Sequence, residues 1–97
     1  GEEFVAYLPT KLVGGLQVAE RLRVNMEATT ITIPLQDSDQ THTINCTVSV
    51  GVASIENKAD YDSISLKELE RRADRALYLA KDGGRNIVKP YPLFKPT

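Results

Sequence analysis

Apolar residues recur with two different periods along this 97-residue chain, and each period predicts a different kind of element. Between Lys11 and Ala28 they recur every three or four positions, which is typical of an amphipathic helix. Thr10 precedes this segment and is expected to be its N-cap, because a threonine hydroxyl can accept a hydrogen bond from the first helical turn. The predicted buried stripe of this helix consists of Leu12, Leu16, Ala19, Leu22 and Met26.

A second helical stripe begins after Ser65, in a segment with clear signals at both ends. Ser65 and Glu68 have the spacing of a capping box, which starts a helix. Gly83–Gly84 is expected to end it in the left-handed conformation that glycine allows. Glu68 and Arg72 are spaced to form an ion pair within the helix, and the preceding polar segment 57–63 is expected to be a loop. The predicted buried stripe consists of Leu66, Leu69, Ala73, Ala76, Leu77 and Ala80.

Strands are predicted at residues 4–8, 31–35, 44–53 and 86–89, where apolar residues form short runs or alternate with polar ones. Segment 44–53 is the longest. One of its faces is large and apolar, and the other carries small side chains that would let a helix or a ligand approach the backbone. Cys46 falls on the apolar face and is expected to be an inert core thiol. With the two helices, the order β–α–β–β–α–β predicts an α+β fold in which helices cover a mixed sheet.

Composition narrows the possible classes of protein. The sequence is 41% hydrophobic and 26% charged, as in an ordinary globular domain. Its formal net charge of −1 gives no long-range attraction for nucleic acid polymers or anionic membranes, so any phosphate binding must be local. No apolar stretch approaches the roughly 20 residues needed to cross a bilayer. The single cysteine excludes an internal disulfide and favours a reducing, cytoplasmic location, although a preceding region could still anchor the protein to a membrane.

Charged residues are concentrated at two places that could meet in one site. Glu2 and Glu3 are adjacent carboxylates after Gly1, a costly arrangement because like charges repel, and metal binding is one good reason for it. Lys81 and Arg85 are four positions apart at the predicted end of the second helix and could hold phosphates. Together they indicate nucleotide chemistry. Two alternatives remain open: a solvated hairpin tip for the glutamates, and for the cations a stabilising contact with the helix dipole.

Four blocks of the sequence resemble the GGDEF family of diguanylate cyclases in their order and spacing. Gly1-Glu2-Glu3-Phe4 is similar to the last four positions of the GG(D/E)EF signature. The other blocks are Ala-Glu-Arg-Leu-Arg at 19–23, Val-Ser-Val-Gly-Val-Ala at 48–53, and the helical segment 72–81 followed by Gly-Arg-Asn at 84–86. Together they span nearly the whole chain.

The resemblance implies a palm-like sheet similar to that of nucleotidyl cyclases, and a specific reaction. In this family two GTP molecules are joined into cyclic di-GMP, because the 3′-hydroxyl of each attacks the α-phosphate of the other and pyrophosphate leaves. The reaction takes place between two like domains, so a homodimer is implied, with an upstream sensory domain in the parent protein. Carboxylates of the fold hold two Mg²⁺ or Mn²⁺ ions, which stabilise the attacking and leaving oxygens.

Roles for Gly1, Glu2 and Glu3, which we call the acidic tip, also follow from the resemblance. Glu2 matches a metal-binding position that is often assigned as the catalytic proton acceptor. Glu3 matches the neighbouring acidic position and is a second candidate metal ligand. Gly1 matches a residue that lets the nucleotide lie close to the turn.

The basic residues receive roles in the same way. Lys81 and Arg85 match the pair that contacts the terminal phosphates, and an arginine can grip two oxygens at once. Arg21 matches a helix arginine that in some members helps to bind the product at an inhibitory site.

The chain also departs from the family pattern. The first glycine of the signature is absent, as is the region that supplies the family's other metal carboxylate and its guanine-reading residues. Residues 1–89 are therefore expected to be the C-terminal portion of one GGDEF domain, with an incomplete N-terminal half, and 90–97 a proline-rich tail. Alone, the chain is expected to be inactive. The alternatives are a GGDEF domain that binds nucleotide without making product, as a regulatory or dimerising module, and a generic α+β domain.

Overall fold

The computed structural model describes residues 3–37 and 39–92, and within them the chain forms three helices and four strands. The fold is α+β, as predicted. Among the described helices, none is long and apolar enough to cross a membrane. In chain order the elements are α1 (Leu12–Ala28), β1 (Thr30–Pro34), β2 (Thr41–Asn45), β3 (Val50–Val52), α2 (Lys58–Ser63), α3 (Leu66–Asp82) and β4 (Val88–Pro90).

The described strands pair in two separate ladders. β1 and β2 are antiparallel, with Thr30 opposite Asn45, whereas β3 and β4 are parallel, with Val50 opposite Val88. The prediction of one continuous strand over 44–53 is therefore wrong, because that segment divides between β2 and β3. β2 ends at Asn45 because its partner β1 begins at Thr30, just after α1, and offers no further backbone for pairing.

The division of the strand also explains the position of Cys46. The residue lies in the connector 46–49 between β2 and β3, and its thiol is exposed. The prediction of a core thiol is wrong, since an alternating pattern does not reveal where a chain leaves one ladder for another. The strand predicted at 86–89 is β4, which begins two residues later and ends one residue later, at Val88–Pro90.

Residues 4–8 do not form the predicted strand. None of the described strands pairs with them, so their backbone groups have no ladder partner. Phe4 at the start of this segment is 87% exposed. The segment is held instead by Tyr7, whose hydroxyl donates a hydrogen bond to the Glu70 carboxylate on α3.

The first helix begins with a cap that is distant in sequence. Lys11 occupies the N-cap position of α1 in an extended conformation, and its side chain makes no capping bond. The backbone N–H of Leu12 instead donates to the Glu56 carboxylate at 3.1 Å. The prediction of Thr10 as the N-cap is therefore wrong, because a tertiary contact satisfies the helix end that a local hydroxyl was expected to satisfy.

The segment 57–63 contains the short helix α2, not the predicted loop. The Asn57 side chain accepts a hydrogen bond from the backbone N–H of Asp60 at 2.9 Å and so caps this helix. A helix of six residues is too short to display an apolar period, so only its cap residue signals it.

The parallel ladder lies between α1 and α3. A Cβ built on Gly51 of β3 would lie 2.2 Å from the backbone nitrogen of Leu77, so α3 rests directly on this face. The next residue, Val52, points the other way and meets Gly15 of α1, as expected when successive strand residues face opposite sides. Small residues dominate the buried positions of the described chain, which are Gly15, Ala19, Ala76 and Ala80.

Candidate functional site

The C-terminal end of α3 is a Schellman motif that turns the chain sharply. The N–H of Arg85 donates to the Ala80 carbonyl at 3.0 Å, and the N–H of Gly84 approaches the Lys81 carbonyl at 3.4 Å. Gly83 keeps a right-handed φ of −80°, whereas Gly84 has a φ of +115°. The prediction of a glycine terminator is confirmed for Gly84, and the left-handed conformation predicted for Gly83 is not observed.

This turn presents the two predicted phosphate-binding cations to solvent. Lys81 lies in the last turn of α3 and Arg85 follows the helix, and both side chains are exposed. Within residues 3–37 and 39–92, neither enters an ion pair. Two unpaired cations four positions apart create a local positive charge despite the acidic net charge, and their donors suit the oxygens of a phosphate.

A polar cluster fixes the residue that follows Arg85. The backbone N–H of Asn86 donates to Ser49 Oγ at 3.1 Å, and its side-chain oxygen accepts from Arg23 Nη1 at 3.2 Å. Its side-chain amide also donates to the Glu27 carboxylate. Helix α1, the connector before β3 and the turn after α3 therefore meet at one asparagine. We call Arg23, Glu27, Ser49 and Asn86 the asparagine cluster.

Arg23 is itself held in place by carboxylates of its own helix. Its Nε donates to Glu20 at 3.0 Å, and its Nη1 donates to Glu27 at 3.3 Å. The bond to Glu20 raises the pKa of Arg23 and lowers the pKa of Glu20. Sequence reasoning missed this cluster, although the spacing of Glu20, Arg23 and Glu27 is that of ion pairs on one helix face.

The acidic half of the predicted site is only partly described. Gly1 and Glu2 lie outside the described residues, and Glu3 is exposed. No hydrogen bond or ion pair within the described part of the chain joins Glu3 to Lys81 or Arg85. The structure places both cations at the end of α3, and their meeting with Glu2 and Glu3 stays a prediction.

The predicted metal site is also incomplete within the described residues. Among the described residues, no three His, Cys, Asp or Glu side chains converge in a way that could hold an ion. Glu3 alone cannot provide the roughly six oxygen ligands that Mg²⁺ prefers. Any metal site here would include ligands from outside the described residues, and Glu2 as one of them stays a prediction.

Arg21, the predicted product-binding residue, lies on the exposed face of α1. It lines a shallow open depression with Gln17, Glu20 and Asn25. Its side chain enters none of the ion pairs of the described chain. Its role in binding product stays a prediction.

Comparison with known families assigns most of the chain to one of them. Residues 1–87 match the family model described as "Diguanylate cyclase, GGDEF domain". The chain belongs to the GGDEF domain family, as its sequence blocks predicted.

Curated relatives agree with this assignment. The chain is 36% identical over 89 residues to the "Response regulator PleD" of Caulobacter vibrioides, and 39% identical over 89 residues to "Diguanylate cyclase A" of Treponema denticola. It is 41% identical over 90 residues to "Diguanylate cyclase DgcM" of Escherichia coli. Each match covers 91% of this chain but only 18%, 21% and 18% of the respective relatives. The chain thus spans about a fifth of their length.

Proposed function

We propose that residues 1–89 are the C-terminal portion of a GGDEF catalytic domain that makes cyclic di-GMP from two GTP molecules, followed by a proline-rich tail at 90–97. The observation that carries this proposal is that Lys81 and Arg85 face solvent at the turn after α3 and have no ion-pair partner among residues 3–37 and 39–92. Family membership and the Gly1-Glu2-Glu3-Phe4 sequence support the same reaction.

In this proposal Lys81 and Arg85 bind the terminal phosphates of GTP. The 3′-hydroxyl of one nucleotide forms a bond to the α-phosphorus of the other, the α–β phosphoanhydride bond breaks, and pyrophosphate leaves. Positive charge at Lys81 and Arg85 favours the binding of the terminal phosphates, which carry most of the charge of the triphosphate. Two such reactions close the cyclic product, so two copies of the domain must face each other as a homodimer.

The acidic tip supplies the other half of the site. Glu2 and Glu3 provide carboxylate oxygens, the ligand type that Mg²⁺ and Mn²⁺ favour, and Gly1 leaves room for the nucleotide. A bound divalent ion would stabilise negative charge on the reacting oxygens. Glu2 accepts the proton of the attacking hydroxyl. Because the described residues do not complete this site, the 97-residue polypeptide alone is expected to be inactive.

The test is turnover of GTP with Mn²⁺ by the full-length protein that carries this chain. Pyrophosphate and cyclic di-GMP are measured together, and Glu2→Gln should abolish both. Asp62→Asn is the matched control, because Asp62 is an exposed carboxylate that pairs with Lys58 on α2 and should leave turnover unchanged. Full turnover by the Glu2→Gln, Glu3→Gln double variant would show that the site is misassigned.

The same assay separates the catalytic from the regulatory alternative. A domain that serves as a nucleotide-binding or dimerising module would bind GTP without releasing pyrophosphate. Arg21 is tested in parallel. If it contributes to an inhibitory site that binds cyclic di-GMP, Arg21→Ala should reduce product inhibition and leave the initial rate unchanged.

A further inference from the structure

The turn that carries Arg85 has a backbone conformation that needs outside support. Gly84, Arg85 and Asn86 have φ values of +115°, +65° and +49°. Left-handed conformations are unfavourable for residues with a Cβ, and less so for asparagine than for arginine. Contacts with the rest of the fold must therefore hold the turn, and such strained positions are concentrated at functional sites.

The asparagine cluster supplies these contacts from three directions. Ser49 accepts from the backbone of Asn86, Arg23 donates to its side-chain oxygen, and Glu27 accepts from its side-chain amide. The backbone N–H, the side-chain oxygen and the side-chain amide nitrogen of Asn86 are therefore each held by a hydrogen bond. Arg23 is well suited to this task because its side chain is only 19% exposed and its own carboxylate partners restrict its rotamer.

We propose that Arg23 and Asn86 are positioning residues for the phosphate site: they hold the turn after α3 so that Arg85 meets the terminal phosphates beside Lys81. Asn86 immediately follows Arg85, so the peptide plane that it fixes sets the direction in which the Arg85 side chain leaves the backbone. The inference rests on the proposed function, because it requires Arg85 to bind GTP. It assigns Arg23, which lies on α1, an effect on Arg85 that is transmitted through Asn86.

The expected effect is on substrate binding. Terminal phosphates are held in the ground state as well as during reaction, so a misdirected Arg85 should raise the KM for GTP with kcat little changed. Arg23→Ala and Asn86→Gly should each raise KM by about three- to tenfold, in the lower part of the range found for residues of one hydrogen-bonded network. Asn86→Gly is informative because glycine accepts the left-handed backbone, so only the side-chain bonds are lost.

Arg72→Ala is the matched control in the full-length protein. Arg72 is also a partly buried arginine, with its side chain 27% exposed and paired with Glu68, but it has no described contact with the turn. Its removal should leave the KM for GTP within about twofold. Thermal midpoints of all variants are measured in parallel, because a purely structural role for Arg23 would lower the midpoint without changing KM.

A double-mutant cycle with Arg85→Ala decides how Arg23 acts. If Arg23 works through Arg85, then adding Arg23→Ala to Arg85→Ala should change KM by less than about twofold. Equal KM increases in both backgrounds would overturn the proposal, and so would an unchanged KM in Arg23→Ala and Asn86→Gly when Arg85→Ala raises it. If Arg85→Ala itself leaves KM unchanged, the phosphate assignment under the proposed function fails, and the positioning role fails with it.

Discussion

Gly51 sets the distance between β3 and α3, because only a hydrogen atom fits where its side chain would point. A Cβ there would lie 2.2 Å from the Leu77 nitrogen and 2.4 Å from the Ala73 carbonyl oxygen, both of them backbone atoms that cannot rotate away. The small face of segment 44–53 predicted that a helix or a ligand would come close. The structure places a helix there.

Gly51→Ala should therefore destabilise the domain by about 1–3 kcal/mol or more, as overpacking of a helix–sheet contact does. The measurement is the midpoint of urea unfolding in the full-length protein, monitored with a probe that reports on the GGDEF domain. Gly83→Ala is the comparison variant, because its added Cβ would lie 3.1 Å from the Leu79 carbonyl oxygen, a tight contact that needs a far smaller shift than the 2.2 Å contact at Gly51, and its φ of −80° suits alanine. Equal losses in the two variants would contradict the close packing at Gly51.

Glu68 illustrates how neighbouring arginines change a single carboxylate. Hydrogen bonds from Arg71 and, secondarily, Arg72 lower the pKa of Glu68 from its usual 4.5 to about 2. The sequence predicted the pairing of Glu68 with Arg72, which the structure confirms at 3.5 Å, and missed the shorter contact with Arg71. Glu68 reciprocally raises the pKa of Arg71.

A depressed carboxylate pKa makes stability depend on pH in one direction. The contribution of Glu68 is fully present above its unfolded-state pKa of about 4.5 and is lost as the pH falls toward about 2. Glu68→Gln should therefore lower the thermal midpoint at pH 6, and its midpoint should converge with that of the parent near pH 2. Added salt should shrink the difference at pH 6, because these side chains are partly exposed. A difference that persists unchanged at low pH would contradict this origin.

At the scale of elements, the helix ends carry the most local information. Ser65 caps α3 as its spacing predicted, accepting a hydrogen bond from the Glu68 backbone N–H at 3.1 Å. Ser65→Ala should cost about 1 kcal/mol of domain stability. Ser65→Asp should retain most of it, because aspartate is an equally good cap. Chemical unfolding of the three proteins checks this, and an alanine variant as stable as the parent would show that the cap contributes nothing.

The elements that sequence predicted well are those whose signals are local. Helices α1 and α3 were recognised from their apolar period, and β1 from alternation, because each pattern lies within the element itself. The break at Cys46 and the missing strand at 4–8 depend on which partner strand is available, and no local pattern encodes that. The cap of α1 by Glu56 was also invisible to local patterns, since Glu56 lies 44 positions after Leu12.

At the scale of the whole molecule, the chain is elongated. Its radius of gyration is 17.2 Å and its extents are 61 × 25 × 21 Å, whereas a compact domain of this length would have a radius of gyration of about 12–13 Å. Large apolar side chains of the described residues stay exposed, among them Phe4 at 87%, Val13 at 69% and Leu66 at 59%. The described residues therefore bury mainly small side chains.

The 97-residue polypeptide should accordingly associate with itself or unfold without a sharp transition when it is produced alone. Exposed apolar surface and unpaired strand edges both favour association. Size-exclusion chromatography with light scattering, at several concentrations, and calorimetry check this expectation. A monomer with one cooperative transition would contradict it.

The candidate site was predictable in parts for the same reason as the fold. Lys81 and Arg85 could be proposed as phosphate-binding residues because a resemblance block and a helix terminus coincide within a few residues, and the structure confirms the helix terminus. The role of Asn86 was not visible, because its partners Arg23 and Ser49 come from distant parts of the chain. Spatial neighbours of this kind appear only once the helices and sheet are packed.

The hydrogen bond between Tyr7 and Glu70 tethers the segment that carries Glu3 to α3. Glu3 lies four positions before Tyr7, so their Cα atoms are at most about 13–14 Å apart. Eleven helical residues carry α3 from Glu70 to Lys81, about 16–17 Å. Glu3 is thereby tethered to α3 through Tyr7, and Tyr7→Phe would release this tether without removing a charge from Glu3 or from the basic turn.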